Sequence, residues 1–292
     1  MIYRIEHITQ YEYSSPVSHC YNLAHIIPRN SRRQKRLSNT IDINPVASEA
    51  TQRIDYFGNI AYHFEVQKPH TTFSIKTISK VDTEDQKAVL ELDFGTSCSE
   101  ARRLLSIPSD DDTLMAREFI LNSPMVKHSA ALRAFAAPLF GDNRPLLSAA
   151  MDLTKKIYDE FDYCPEATTV STPIDEVLAT KQGVCQDFAH LQIACLRALG
   201  FPAKYVSGYI ETLPAPGTVK LVGTDASHAW VSVYSPGEGW FEFDPTNNCL
   251  AGEQHIITAW GRDYFDITPL RGVIYGGGES PLLSVSVDVR RL

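Results

Sequence analysis

The stretch Lys181–Lys204, KQGVCQDFAHLQIACLRALGFPAK, decides the fold of the second half of the chain. Its apolar residues recur at the spacing of one helical stripe: Val184, Phe188, Leu191, Cys195 and Leu199. Gly200 and Pro202 then supply the signals that end a helix. Cys195 lies on the stripe, and we expect it to be a small buried hydrophobe. Cys185 lies one position off the stripe, in the first helical turn.

The position of Cys185 favours a chemical role. The first turn of a helix carries N–H groups without intrahelical partners and the positive end of the helix dipole. Both favour a thiolate, which is the nucleophilic form of cysteine, and the same N–H groups can bind a developing oxyanion. Gly183 leaves room for a substrate carbonyl next to the sulfur. Because a lone cysteine is more often structural, this interpretation depends on a base nearby.

Two strand-like segments, SHAWVSVY and WFEFD, supply a base and a carboxylate. If the SPGEG turn between them pairs Tyr234 with Trp240, His228 and Asp244 occupy diagonal positions on one face of the sheet, about 7–8 Å apart at Cα. A register shift of one residue would separate them. In the first register the sequence predicts a triad in which Asp244 orients the imidazole that takes the proton of Cys185.

Three further residues near these segments have two interpretations each. Asp187 follows Cys185 within one turn, so it either complements the helix dipole, which we favour, or supports the triad. Trp230 and Trp240 share the parity of His228, so they either line a cleft or pack within the sheet.

The composition describes an ordinary globular protein. The chain has 292 residues, 43% of them hydrophobic and 21% charged, and a formal net charge of −8. Because nucleic acids and anionic membranes require a basic face, the charge argues against both as partners. No segment approaches the roughly 18 uninterrupted apolar residues of a membrane span. The N-terminal MIYRIEHITQYEY lacks an apolar signal-peptide core, so we predict a cytoplasmic protein.

The cysteines are scattered along the chain: Cys20, Cys98, Cys164, Cys185, Cys195 and Cys249. They form no CxxC pair and no cysteine–histidine cluster with zinc-finger spacing. We therefore predict free thiols in a reducing compartment, with no metal and no cofactor.

The order of the patterns predicts two domains. Alternating segments up to about Leu92, including the turn signal FGN, predict an antiparallel β-sandwich-like domain. Residues 93–112 lose this periodicity. Helical patterns follow until Gly200, and strands follow them, which predicts an α+β second domain with helices packed on an antiparallel sheet. The predicted division is residues 1–95 for the N-terminal β domain, 96–112 for a linker, 113–270 for the core and 271–292 for a C-terminal strand segment.

A basic segment interrupts the N-terminal β region. HIIPRNSRRQKRL carries five cationic residues: Arg29, Arg32, Arg33, Lys35 and Arg36. It is either a site for an anionic ligand or partner, or a solvated loop, which is the commoner fate of surface charge.

The segments GVCQDFAHL, SHAWVSVY and WFEFDPTNN together resemble the bacterial transglutaminase-like superfamily of candidate cysteine proteases. The β-rich N-terminus and the later HIITAWGRDYFDITPLRG look like the two-part layout of that family, so the resemblance covers nearly the whole chain. It implies a papain-like core, as in transglutaminases. It also implies that Cys185 is the nucleophile, His228 the general base and acid, and Asp244 the orienting residue.

For the oxyanion, we expect the backbone N–H of Cys185 to be a donor, with Gln182 or Tyr163 as a candidate side-chain donor. The reaction that this implies is hydrolysis of a peptide or carboxamide bond in a peptide or protein substrate, through a thioester. Two alternatives stay open: acyl transfer from a protein glutamine to an amine, and a non-catalytic peptide-binding module. The oligomeric state is also left open.

Overall fold

A computed structural model describes residues 1–84, 92–212 and 227–292 of the chain. Its strands are β1 (Ile2–Ala24), β2 (Gln34–Asn44), β3 (Glu49–Ile54), β4 (Ile60–Val66), β5 (His70–Thr83), β6 (Asp162–Tyr163), β7 (Gln182–Gly183), β8 (Ala203–Ile210), β9 (Ser227–Ser235), β10 (Gly239–Asp244), β11 (Cys249–Leu250), β12 (His255–Gly261), β13 (Leu270–Gly276) and β14 (Leu282–Arg291). Its α-helices are α1 (Cys98–Ser106), α2 (Asp111–Ala116), α3 (Ala130–Ala136), α4 (Leu146–Glu160), α5 (Ile174–Thr180) and α6 (Cys185–Ala198), and 3₁₀ turns span Arg117–Ile120 and Ala137–Leu139.

The five N-terminal strands, together with β13 and β14, form one antiparallel sheet of seven strands built around β1. Along its first half β1 pairs with β5 and β14, and along its second half it pairs with β4 and β13. The register between β1 and β5 shifts between Glu12 and Val17, where a bulge lets a strand bend. The predicted sandwich-like domain therefore takes the form of a single half-barrel, and the predicted FGN turn does join β3 to β4.

The second part is the predicted α+β core, which confirms the fold class. Its antiparallel sheet has the order β11-β10-β9-β8-β12, and α6 packs against β9 and β8. The hairpin of β9 and β10 has the predicted register, with Tyr234 opposite Trp240. The stripe of α6 faces this sheet, and Cys195 is fully buried there. Burial raises the pKa of its thiol to about 12, so Cys195 is inert at neutral pH.

Two features differ from the predicted layout. Part of the predicted linker, 96–112, is helix α1, which is capped by the Ser97 side chain and buries Cys98, Ala101 and Leu105 in the core. The segment has few apolar residues among its serines and charged residues, so its short amphipathic pattern does not indicate a helix clearly. The C-terminal strands β13 and β14 belong to the N-terminal sheet through their pairing with β1. The domain bounds themselves stay a prediction.

Helices α3 to α6 lie in the region for which the sequence predicts helical patterns. Helix α3 ends at Ala136, and a 3₁₀ turn that contains Pro138 follows, because proline interrupts the hydrogen-bond ladder of a helix. Pro145 and Pro173 are the N-cap residues of α4 and α5. Within the described residues, no helix combines the length and apolar character that crossing a bilayer requires.

Candidate active site

The hairpin of β9 and β10 brings His228 and Asp244 into contact. The Nε2 atom of His228 lies 2.7 Å from Oδ2 of Asp244, and both side chains are buried. The predicted register is what places them together, since the paired positions reach Phe243 opposite Val231, next to Asp244. The structure therefore brings together the base and the carboxylate that the sequence predicts.

Helix α6 begins at Cys185, which is half-buried beside His228. Burial by itself lowers the pKa of His228, but the hydrogen bond to Asp244 and the neighbouring sulfur of Cys185 outweigh it and raise this pKa to about 10. Because Asp244 engages Nε2, Nδ1 is the ring nitrogen available to the sulfur. A ring placed between a carboxylate and a thiol can accept the thiol proton and return it to a leaving group.

The carboxylate of Asp244 accepts more hydrogen bonds than the sequence indicates. Its Oδ1 accepts the backbone N–H groups of Thr246 and Asn247 at 2.9 and 3.2 Å, and Oδ2 accepts the Asn247 side-chain amide at 2.7 Å. Burial raises the pKa of Asp244, but these donors and two histidine rings hold it below its usual range. Asp244 is thus fixed as an anion that favours the protonated form of His228.

The second histidine is His255, at the start of β12, which is not among the site residues that the sequence predicts. Its Nε2 lies 3.1 Å from Oδ2 of Asp244, and its Nδ1 accepts the N–H of Gly252 at 3.1 Å. A ring nitrogen that accepts an N–H carries no proton, so the ring holds its proton on Nε2 and donates it to Asp244. No local pattern identifies this residue, because its contact with Asp244 depends on the order of strands in the sheet.

The start of α6 is held by Asp187. Its Oδ2 accepts the backbone N–H of Val184 at 2.9 Å and the hydroxyl of Thr168 at 2.6 Å, and burial raises its pKa. These are the contacts of a carboxylate that caps a helix end. The space above Gly183 is used differently from the prediction. A Cβ at that position would lie 2.8 Å from Cβ of Asp187, so the glycine makes room for the capping side chain.

The predicted oxyanion donors surround the same turn. Among the described residues, the backbone N–H of Cys185 makes no hydrogen bond, so it is free to bind an oxyanion. Strands β6 and β7 are parallel, which sets Tyr163 beside Gly183. Burial and then Cys185 raise the pKa of the Tyr163 phenol, which marks it as a neighbour of the sulfur. Gln182 is exposed on the adjacent position of β7.

The two tryptophans differ in position. Trp230 is fully buried, its ring lies against His228 with centroids 6.0 Å apart, and its Nε1 donates to Glu242 at 2.8 Å. It therefore supports the hairpin of β9 and β10 by packing and does not line a cleft. Trp240 lies at the other end of β10 from Asp244, where its ring contacts Phe119.

One cluster has the spacing of a metal site. His228, Asp244 and His255 each offer a ligand atom, and these atoms lie within 4.8 Å of one another, a separation compatible with zinc. The hydrogen bonds from both rings to Oδ2 account for the same spacing. The absence of a metal and of a cofactor stays a prediction.

Two models of known protein families match this chain, one in its N-terminal sheet and one in its α+β core. Residues 3–82 match the model of the bacterial transglutaminase-like N-terminal region, and residues 133–245 match that of the transglutaminase-like superfamily. An uncharacterized protein of Mycobacterium tuberculosis H37Rv is 41% identical over 293 residues, which cover 98% of this chain and 92% of the relative. The chain belongs to the transglutaminase-like superfamily.

Two other proteins resemble it over different extents. The crystal structure of a candidate cysteine protease from Cytophaga hutchinsonii superposes with a TM-score of 0.75 at 24% identity, over 100% of this chain and 91% of the other. This likeness concerns the fold. A protein-glutamine gamma-glutamyltransferase of Pseudomonas aeruginosa is 36% identical over 138 residues, which cover 43% of this chain and 20% of that protein.

Proposed function

We propose that the protein is a cysteine-dependent hydrolase of peptide or carboxamide bonds in peptide or protein substrates. The observation that carries the proposal is His228, held at 2.7 Å by a buried Asp244 and lying beside Cys185 at the start of a helix. These are the nucleophile, base and orienting group that acyl transfer requires. We also propose that it acts in the cytoplasm, as its sequence suggests.

The reaction has two halves. In the first, His228 takes the thiol proton, the sulfur of Cys185 attacks the substrate carbonyl, and the N–H of Cys185 binds the oxyanion. His228 then returns its proton to the leaving amine as the C–N bond breaks, which leaves a thioester. In the second half, water gives a proton to His228 and attacks the thioester, and the thiol leaves with that proton.

Acyl transfer to an amine is the second candidate. It uses the same thioester and differs only in the nucleophile that attacks it. The specific observation in its favour is the 36% identity, over 138 residues, to a protein named as a protein-glutamine gamma-glutamyltransferase. Hydrolysis remains our first choice, because water needs no dedicated acceptor site. A non-catalytic peptide-binding module is the third candidate, and the complete triad argues against it.

The first experiment measures the reactivity of the cysteines. Iodoacetamide at mildly acidic pH, followed by peptide mapping, should modify Cys185 at least about tenfold faster than the half-buried Cys164 and Cys249. The preference should disappear in His228→Ala and persist in His63→Ala, which changes a histidine of the N-terminal sheet. Equal modification of all three cysteines would sink the catalytic assignment.

The second experiment separates the reactions. The protein is incubated with a glutamine-rich protein and a fluorescent primary amine, with Cys185→Ala as the control. Release of ammonia or peptides that depends on Cys185, without amine incorporation, supports hydrolysis. Amine incorporation that depends on Cys185 supports transfer, and no product in either assay supports the binding module.

A further inference from the structure

Lys204 occupies an aromatic site at the junction between the core sheet and the N-terminal part. Its Nζ lies 3.6 Å from the ring centroid of Trp240, 4.9 Å from that of Trp260 and 5.0 Å from that of Phe119. On β8 it pairs with Ser232 of β9, so it lies on the same face of the sheet as His228, at the other end of β9. This cation has no part in the proposed reaction.

The basic segment of the N-terminal part meets Lys204 here. The guanidinium of Arg29 is buried 3.2 Å from the ring centroid of Trp260 and hydrogen-bonds to Asn59. Arg33 forms an ion pair with Glu242 at 2.9 Å. The interpretation of this segment as a solvated loop is therefore wrong for these two arginines, and the alternative of an anionic ligand site gains support.

Glu242, the acid whose charge acts on Lys204, is already bonded to other groups. Glu242 lies on β10, opposite Ser232 of β9. It already accepts Arg33 and the indole N–H of Trp230. Over residues 1–84, 92–212 and 227–292, Lys204 has no carboxylate within the 4.0 Å of an ion pair. Burial, followed by the charge of Arg29, lowers the pKa of Lys204 to about 7, and Glu242 offsets only part of this.

Two cavities share Lys204, Trp240 and Trp260 as wall residues. The larger, about 630 Å³, is otherwise lined mainly by apolar and aromatic side chains, among them Phe57, Leu114, Met115 and Phe119. The smaller, about 320 Å³, is lined by polar and charged groups that include Ser31, Arg32, Arg33 and Ser232. Lys204 is thus shared by a mainly apolar cavity and a polar one, and ligand sites typically combine these two kinds of surface.

We propose that this junction is a binding site for a carboxylate attached to an aromatic or aliphatic body. Lys204 and Arg32 bind the carboxylate in the smaller cavity, and the body packs on Trp240 and Trp260 in the larger one. Glu238 and Glu242 also line the smaller cavity, which favours a singly charged carboxylate over a phosphate. A free acid and the C-terminus of a peptide both have this chemistry.

The first test compares an acid with its uncharged isostere. Calorimetry should find that 3-phenylpropionate binds at least about tenfold more tightly than 3-phenylpropanamide, since only the acid forms charge-assisted hydrogen bonds. Lys204→Met should remove that preference and leave the amide unchanged. Lys156→Met is the matched control, because Lys156 lies 4.4 Å from the Phe135 ring away from the junction. Equal binding of acid and amide, or of the acid to wild type and Lys204→Met, overturns the proposal.

The second test follows protons and keeps the first interpretable if Lys204→Met folds poorly. An anion beside Lys204 raises its pKa above the value of about 7, so binding of 3-phenylpropionate near pH 7.5 should take up protons. Calorimetry in two buffers with different ionisation enthalpies measures this uptake. The charged groups that face the site are Arg29, Arg32, Arg33, Asp112, Glu118, Glu238 and Glu242. Binding without uptake, or uptake that persists in Lys204→Met, contradicts the role of Lys204.

A third comparison identifies the source of the carboxylate. N-acetyl-Gly-Gly-Phe with a free C-terminus is measured beside its C-terminal amide. Binding of the peptide acid at least as tight as that of 3-phenylpropionate supports a peptide C-terminus, and binding of 3-phenylpropionate alone supports a small acid. All binding should persist in Cys185→Ala, so the result stands apart from the proposed reaction.

Discussion

His255 donates its Nε2 proton to Oδ2 of Asp244 across 3.1 Å, while its Nδ1 accepts the N–H of Gly252. Asp244 is thus held between two histidine rings, one of which is fixed in a single tautomer by a backbone group. The ring of His255 cannot exchange a proton with the substrate, because its side chain is fully buried. Its contribution is to position the carboxylate that orients His228.

Replacing His255 tests this positioning role. His255→Phe keeps an aromatic ring but leaves Asp244 without one buried donor, so we expect the free energy of unfolding to fall by about 1–3 kcal/mol. The rate of Cys185 alkylation and its pH profile should also change, whereas His255→Gln, which can still donate, should recover part of both. Denaturant unfolding and iodoacetamide kinetics measure these effects. A wild-type pH profile in His255→Phe would show that the ring is only structural.

The pKa of His228 should depend on Asp244. Histidine-selective NMR titration should give a value of about 10 in the wild type. In Asp244→Asn the opposing charge is lost, and we expect this pKa to fall by about 1–3 units. If catalysis needs the imidazolium, the activity of Asp244→Asn should begin to fall at a correspondingly lower pH as the solution is made alkaline. An unchanged titration in Asp244→Asn would mean that the contact at 2.7 Å does not set the protonation of the ring.

The changes in the pKa of His228 and of Asp244 on folding predict how the stability of the protein varies with pH. The pKa of His228 rises from 6.5 to about 10 on folding, so its stabilising contribution is complete below pH 6.5 and is lost as the pH approaches 10. The pKa of Asp244 falls from 3.8, so its contribution is present above that pH and is lost on acidification. Unfolding by urea should therefore show a steeper loss of stability between pH 6.5 and 10 in the wild type than in His228→Gln. Parallel curves contradict the prediction.

Gly183→Ala should disturb the site without touching the triad. The added Cβ would lie 2.8 Å from the Cβ and Oδ2 atoms of Asp187, so it displaces the carboxylate that caps α6. We expect a loss of about 1 kcal/mol of stability and slower alkylation of Cys185. Gly141→Ala is the control, since a Cβ there has no neighbour within 4 Å. Equal behaviour of the two variants would remove the steric explanation.

Local patterns were sufficient to predict the central elements of the site. The helical stripe placed Cys185 at the first position of α6, and the two-residue alternation with a short turn set the register that joins His228 to Asp244. Both signals are contained in one helix or one hairpin, where spacing along the chain determines spacing in the fold.

Contacts between distant segments could not be predicted in this way. His255 reaches Asp244 from a strand at the other edge of the sheet, and Arg29 reaches Trp260 across the junction of the two parts. Neither contact leaves a period in the sequence.

The pairing of β14 along β1 has a consequence for biosynthesis. Tyr3 lies opposite Arg291, so β1 is completed by a strand that is synthesised more than 250 residues after it. Until then a long edge of β1 stays open, and such edges readily pair with other chains. Nascent chains that stall before residue 270 should therefore be especially prone to aggregate or to require chaperones, even though their first eighty or so residues are already synthesised and match a family model of their own.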